Sequence, residues 1–206
     1  IALIALIAYA LLGGADFGGG VWDLLATGPR AQAQRETIAH AIGPIWEANH
    51  VWLILVVVIL FTAFPPAFAA IMTALSIPLH VLLVGIVLRG VSFVLRAYAA
   101  DDDRTQRRWG RVFAVSSTIA PVLLGIVIGT ISTSAIRLEN GIVVSGFFSW
   151  LQPFAFAVGF FALAQFAFLA AVYLTLDTTD PALREDFRRR ALGAAVAVGI
   201  MAATVL

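Results

Sequence analysis

Two long stretches without a charged side chain constrain the fold of this chain more than any other feature. Residues 51–88 and residues 112–136 contain no Asp, Glu, Lys or Arg. Each stretch exceeds the roughly 20 residues that an α-helix needs to cross the hydrocarbon core of a bilayer. Of the 206 residues, 61% are hydrophobic and only 12% are charged, whereas about a quarter of a soluble domain is charged. The sequence therefore predicts an all-α integral membrane protein.

The apolar segments predict a polytopic helix bundle with five transmembrane spans and the start of a sixth. The spans are expected at about 1–25, 45–64, 67–98, 109–132, 147–176 and 190–206, within a single helical domain that covers 1–206. The chain begins and closes inside apolar runs and shows no charged start or cleavage site of a signal peptide. We therefore expect it to be a piece of a longer membrane protein.

Arginine residues concentrate on one side of the predicted bundle. The segments 26–44, 99–108 and 177–189, with the span ends beside them, hold most of the 13 basic residues, and all 13 are arginine. The two loops on the opposite side contribute only Arg137. Because positively charged loops stay in the cytoplasm, these three segments are expected to be cytoplasmic and the N-terminus to face outward.

Composition also excludes several classes of function. The chain has no cysteine, which removes disulfides, thiolate metal sites and thiol nucleophiles. A net charge of +1 without a basic block gives no case for nucleic acid binding. The glycine-rich stretch GGADFGGG lies inside a predicted span and does not follow a strand, so it does not indicate a phosphate-binding loop.

Ionisable residues inside the predicted spans are the most informative positions. An uncompensated charge at the middle of a bilayer costs at least ~3 kcal/mol on insertion scales. Asp16, Glu47, His80 and Arg89 are such residues. Asp16 lies among glycines that permit close helix approach. Its carboxylate can serve either a packing motif, paired with an arginine, or a proton relay, and the sequence leaves both open.

The segment GPIWEANHVWLIL, residues 43–55, places polar groups at the start of the second span. Glu47 lies in the first turn, where the helix dipole favours a carboxylate, so helix capping is the simplest role. Asn49 and His50 follow within one turn, and residues three apart can share a helix face. Glu47 and Asp16 can also lie at similar depth. This grouping favours a functional carboxylate at Glu47, supported by Asn49 and His50.

The remaining candidates concern metal binding and charge pairing. His80 has no second ligand at i+3 or i+4, so a haem or metal ligated by this chain is not expected. Arg89 lies two helical turns before Arg96 and therefore deeper in its span. A buried arginine needs a carboxylate or carbonyl partner, and Asp16 or Glu47 can provide the former.

Three motifs together resemble subunit II of the cytochrome bd-type quinol oxidases, including the cyanide-insensitive branch. GADFGGG resembles the acid-and-glycine motif of the family's first helix. GPIWEANHVWLI resembles its most distinctive signature, Trp-Asp/Glu-Gly/Ala-Asn-x-Val-Trp-Leu. LRGVSFVLR resembles the third-helix pattern Arg-x-Val-x-Phe-x-x-Arg, while APVLLGIVIG and QPFAFAVGF match the fourth and fifth helices more loosely.

The resemblance implies a fold, a complex and a role for two acids. It implies a subunit of eight helices without haem ligands, in the cytoplasmic membrane of a bacterium. Its partner would be subunit I, which carries two haems b and haem d and oxidises quinol; small accessory subunits, membrane lipid and quinone are further implied partners. The resemblance also implies that acids of subunit II carry protons from the cytoplasm toward the oxygen-reducing haems, a role that falls first on Glu47 and second on Asp16.

Two departures from the family pattern and two other functions complete the predictions. Many members have an acid where this chain has Gly13, and another where it has Val94.

An alternative function is a secondary transporter whose coupling site comprises Asp16, Glu47 and Arg89. That function predicts an inverted repeat and interrupted helices, and the sequence shows no convincing repeat. A stand-alone haem protein is opposed by the lack of paired histidines.

Overall fold

The computed structural model describes residues 1–43, 46–99 and 102–206, and within these ranges the chain is almost entirely helical. Five of the helices are long and apolar enough to cross a membrane, which confirms the predicted all-α membrane fold. The elements are α1 (Ala2–Leu24), α2 (Ala31–Ile42), α3 (Trp46–Ala63), α4 (Pro65–Ala74), α5 (Ser76–Tyr98), α6 (Asp103–Ser132), the strands β1 (Leu138–Glu139) and β2 (Ile142–Val143), α7 (Pro153–Asp177) and α8 (Pro181–Val205). The five candidate spans are α1, α3, α5, α6 and α7.

Helix α1 lies at the centre of the bundle and packs against α3, α6 and α7. Its glycines make this possible, because a Cβ at Gly18 would collide with the backbone carbonyl of Phe166 on α7, and one at Gly20 with Ser117 on α6. Small residues let membrane helices approach closely enough for van der Waals contact along the backbone. The GADFGGG segment is therefore a packing surface on two sides of α1.

The helix boundaries differ from the predicted spans in one important place. A single span was expected over 67–98, but the structure has α4 and α5, separated at Leu75. Pro78 is the physical reason, because proline lacks the N–H that would bond to the carbonyl four residues earlier, in the last residue of α4. Pro78 was the sequence signal for this break, but the apolar run continues on both sides of it.

An ion-pair network ties α2 to α8 at the end of the bundle that carries most arginines, here called the arginine-rich end. Arg30 donates to both carboxylate oxygens of Asp186, from Nε at 2.8 Å and Nη2 at 2.6 Å. Gln34 donates to the same carboxylate at 2.8 Å and accepts from Arg190 at 2.7 Å. The hydrogen bonds from Arg30 hold the pKa of Asp186 below its usual value. These contacts fix α2 across the ends of α1 and α8.

Candidate functional site

The first polar contact of the site joins α1 to α3 inside the bundle. Asp16 is 2% exposed, and Asn49 Nδ2 donates to its Oδ2 at 2.9 Å. A carboxylate removed from water needs hydrogen-bond donors to offset its desolvation, and Asn49 supplies one. The two motifs that the sequence singled out on different helices therefore meet in one place.

Arg89 of α5 lies beside this pair, enclosed by aromatic rings. It is 1% exposed, and its guanidinium carbon lies 4.8 Å from the ring centre of Phe17, 5.4 Å from that of Phe113 and 5.9 Å from that of Trp46. Rings at these distances attract a cation through their π-faces. No ion pair within 4.0 Å involves Arg89 in the described ranges, so neither Asp16 nor Glu47 contacts it as the expected carboxylate partner there.

His50 completes the buried cluster. Its Nδ1 donates to the Trp46 carbonyl at 2.9 Å, so Nε2 of the neutral ring is an acceptor. The ring lies edge-on to Tyr9, with centroids 5.9 Å apart. His50 Nε2, Tyr9 Oη, and Nε and Nη2 of Arg89 are buried without a hydrogen-bond partner among the described residues. Such a mixture of donors and acceptors is suited to bound water, which both donates and accepts.

Glu47 faces the other way. It lies in the first turn of α3 and is exposed, on the outward face that also carries the exposed side chains of Val51, Ile54 and Val58. Its carboxylate has no hydrogen bond or ion pair to any other residue in the described ranges. Two residues along a helix turn the side chain by about 200°, so Glu47 points away once Asn49 faces α1. Glu47 and His50 therefore lie in different environments, the carboxylate exposed and Nε2 of the imidazole buried.

A cavity of about 720 Å³ runs beside the buried pair, between α1, α2, α3 and α7. Its polar lining includes the buried pair Asp16 and Asn49. It also includes His40 of α2 and Asp177, the last residue of α7. Sequence reasoning missed Tyr9 and Asp177. Tyr9 lies seven residues before Asp16 and therefore on the same face of α1, so the sequence spacing could have identified it. No feature of the sequence pointed to Asp177.

The third histidine, His80, lies outside the buried cluster. His80 is exposed, and its Nδ1 donates to the Ser76 carbonyl at 2.6 Å. Within the described ranges, no group of three or more His, Asp or Glu side chains could hold a metal ion. His50 and His80 lie in separate helices, each with Nδ1 bonded to the carbonyl four residues earlier.

The fold and the buried centre define a multi-span membrane subunit with an acid, an amide and an arginine enclosed between its first, second and third spans. The family model described as cytochrome bd terminal oxidase subunit II matches residues 1–206, and the chain belongs to this family.

Individual relatives agree with the family match. The chain is 30% identical over 128 residues to the cytochrome bd ubiquinol oxidase subunit 2 of Bacillus subtilis, covering 62% of this chain and 37% of that one. It is 26% identical over 182 residues to the cytochrome bd-I ubiquinol oxidase subunit 2 of Escherichia coli K12, covering 85% and 46%. The chain thus spans about half the length, or less, of these relatives.

A solved structure shares the fold. The structure of bd oxidase from Geobacillus thermodenitrificans matches with a TM-score of 0.76 at 21% identity, covering 99% of this chain and 62% of that one. At this identity the match establishes the arrangement of the helices. The roles of individual side chains are inferred from the geometry of the site.

Proposed function

We propose that this chain belongs to the subunit II that supports the haem-bearing subunit I of a quinol:oxygen oxidoreductase and supplies it with protons. Reducing one O₂ to two waters takes four electrons, from two quinols, and four protons. The observation that carries the proton role is the cavity beside α1, whose polar lining runs from His40 and Asp177 to the buried Asp16–Asn49 pair. Carboxylates in such a setting are suited to passing protons.

The position of Glu47 supports a role at the boundary with the partner. Its carboxylate is exposed at one end of the apolar outward face of α3, without a partner of its own in the described ranges. A carboxylate at such a face is costly against lipid, which favours a protein neighbour there. Glu47 is therefore the acid that we expect to hand protons to subunit I, with Asp16 as the buried acid behind it.

The direct test of the proposed function is co-purification and turnover. The full-length chain, expressed with its haem-bearing partner, is expected to yield a complex that consumes oxygen when supplied with a reduced quinol. Purification of the chain in a stable complex without any haem protein, or of a haem-loaded complex that does not oxidise quinol, would contradict the proposal.

Expressed alone, the full-length subunit is expected to bind haem at far less than one per chain. The reason is that His50 and His80 lie on separate helices, and that within the described ranges no group of three or more His, Asp or Glu side chains could hold a metal ion. A pyridine haemochrome assay measures the ratio. One haem per chain in the absence of subunit I would show that this chain carries a ligand of its own.

A cysteine at Thr105 is expected to be protected from membrane-impermeant thiol reagents in intact cells. Thr105 lies in the first turn of α6, in the segment 99–108 that positive charge predicts to be cytoplasmic. These 206 residues hold no other cysteine, so no other position among them takes up the label. A cysteine at Ile142 in the hairpin on the opposite side is the control and should react readily. Reversed labelling of the two positions would invert the proposed topology.

A further inference from the structure

A second cavity, of about 650 Å³, opens at the arginine-rich end, on the side of α1 next to α5 and α6. It is separate from the cavity beside Asp16, because the two share no lining residue. Its lining combines several arginines, one acid and a small apolar wall: Asp23, Leu24, Gln32, Arg35, Arg96, Gln106, Arg107, Gly110, Arg111, Ala114 and Val115.

One carboxylate at the base of this pocket serves two guanidinium groups. Asp23 is 4% exposed and accepts from Arg96 Nη1 at 2.5 Å, while Arg35 Nε lies 3.5 Å from its other oxygen. Arg35 also donates to the Ala26 carbonyl at 2.8 Å. These three charged groups therefore leave an excess of one positive charge, and both arginines are held in place facing the cavity.

Arg111 adds a further guanidinium at the rim. It is exposed, and it makes no hydrogen bond or ion pair with another described residue. Arginine presents a planar fork of donors that matches the oxygens of a phosphate group, and such pairs are charge-assisted and bidentate. The pocket thus offers a fixed cationic base and an uncommitted arginine to an anion.

The apolar residues of the lining indicate that the anionic group is attached to an apolar one. Leu24 is 42% exposed and Val115 is 44% exposed, and both line the cavity beside the arginines. Leu24 is the last residue of α1 and Arg96 lies in the last turn of α5, so the pocket lies where two spans reach the membrane surface. Basic pockets between transmembrane helices at the cytoplasmic surface are suited to lipid head groups.

We propose that this pocket binds the phosphate group of an anionic phospholipid, with Arg35, Arg96 and Arg111 around the phosphate and the acyl chains leaving past Leu24 and Val115. A free phosphate ion shares the chemistry of the head group but gains nothing from the apolar wall. The inference does not depend on the proton role of Asp16 or Glu47.

The test uses the complete, detergent-purified complex of the full-length subunit with its partner, and measures its thermal unfolding temperature. Dioctanoyl-phosphatidylglycerol is expected to raise this temperature by roughly 3 °C at saturation, because a ligand that binds only the folded state stabilises it. Dioctanoyl-phosphatidylcholine, with the same chains and no net charge, should have little effect. In the R111Q variant, half of the phosphatidylglycerol effect should require roughly tenfold more lipid, and R111K should lie between the two.

The control variant is R189Q, which removes the same charge from the exposed start of α8, outside the pocket. It should respond to phosphatidylglycerol as the unmodified complex does. Equal lipid dependence in R111Q and the unmodified complex would overturn the proposal, as would an equal effect of phosphatidylcholine. An equal response to sodium phosphate would assign the pocket to the free ion and overturn the lipid assignment.

Discussion

Replacing Glu47 by glutamine is expected to lower quinol-dependent oxygen consumption by roughly tenfold or more, with haem content and assembly unchanged. Glutamine keeps the shape of the side chain and removes the group that binds and releases a proton, and a positioned acid or base contributes at least about 100-fold in typical reactions. Little structural damage is expected, because Glu47 is exposed and its carboxylate makes no hydrogen bond or ion pair with another described residue. Oxygen consumption and the haem spectrum of the purified complex measure the two effects.

Two further variants distinguish proton transfer from the simpler roles of Glu47. Glu47→Asp keeps a carboxylate and should retain part of the activity, whereas Glu36→Gln, an exposed acid on α2, should be neutral. If Glu47 only caps α3, glutamine costs at most about 1 kcal/mol of dipole interaction and turnover stays normal. Loss of the partner subunit from Glu47→Gln would instead show that the carboxylate holds the interface, and would contradict the relay.

The membrane fold could be predicted from the sequence because the hydrocarbon core of a bilayer excludes charged side chains. A helix must keep charge out of about 20 residues to cross the bilayer, and the charge-free runs marked the spans without any alignment. The glycines around Asp16 indicated close packing for the same physical reason, and the structure places Gly18 against the backbone of α7. The break between α4 and α5 was missed although Pro78 lies beside it, because the apolar run continues on both sides.

Only part of the candidate site could be predicted from the sequence. Asp16 and Asn49 drew notice because each is costly to bury, and a buried group needs a partner; their contact follows from the packing of α3 on α1. The directions of Glu47 and Arg89 depend on which face of each helix meets its neighbour. From Val51 to Phe61, α3 is apolar on every side, and these residues carry no signal of its inner face because lipid and protein interior are equally apolar. The aromatic enclosure of Arg89 could not be predicted for this reason.

The second large effect is expected from a single methyl group at the centre of the bundle. Gly18→Ala should lower the unfolding temperature of the complex by roughly 5 °C or more, or prevent its assembly. The new Cβ would overlap the Phe166 carbonyl oxygen and lie 2.7 Å from the Ala170 Cβ, so α1 and α7 must separate. Overpacking costs typically 1–3 kcal/mol, and about 2–4 °C accompanies each kcal/mol in a domain of this size. Backbone atoms have no rotamer with which to relieve the overlap.

The matched control for this change is Gly193→Ala on α8, where a Cβ would meet no atom of the described residues within 4 Å. Alanine favours a helix over glycine by roughly 1 kcal/mol, so this variant should unfold at the same temperature or slightly higher. Because Asp16 lies two residues from Gly18 and is held from α3 by Asn49, separation of α1 from α7 should also disturb the buried centre. Turnover should therefore fall with stability in Gly18→Ala and remain normal in Gly193→Ala. A stable, fully active Gly18→Ala complex would show that α1 and α7 do not approach as closely as described.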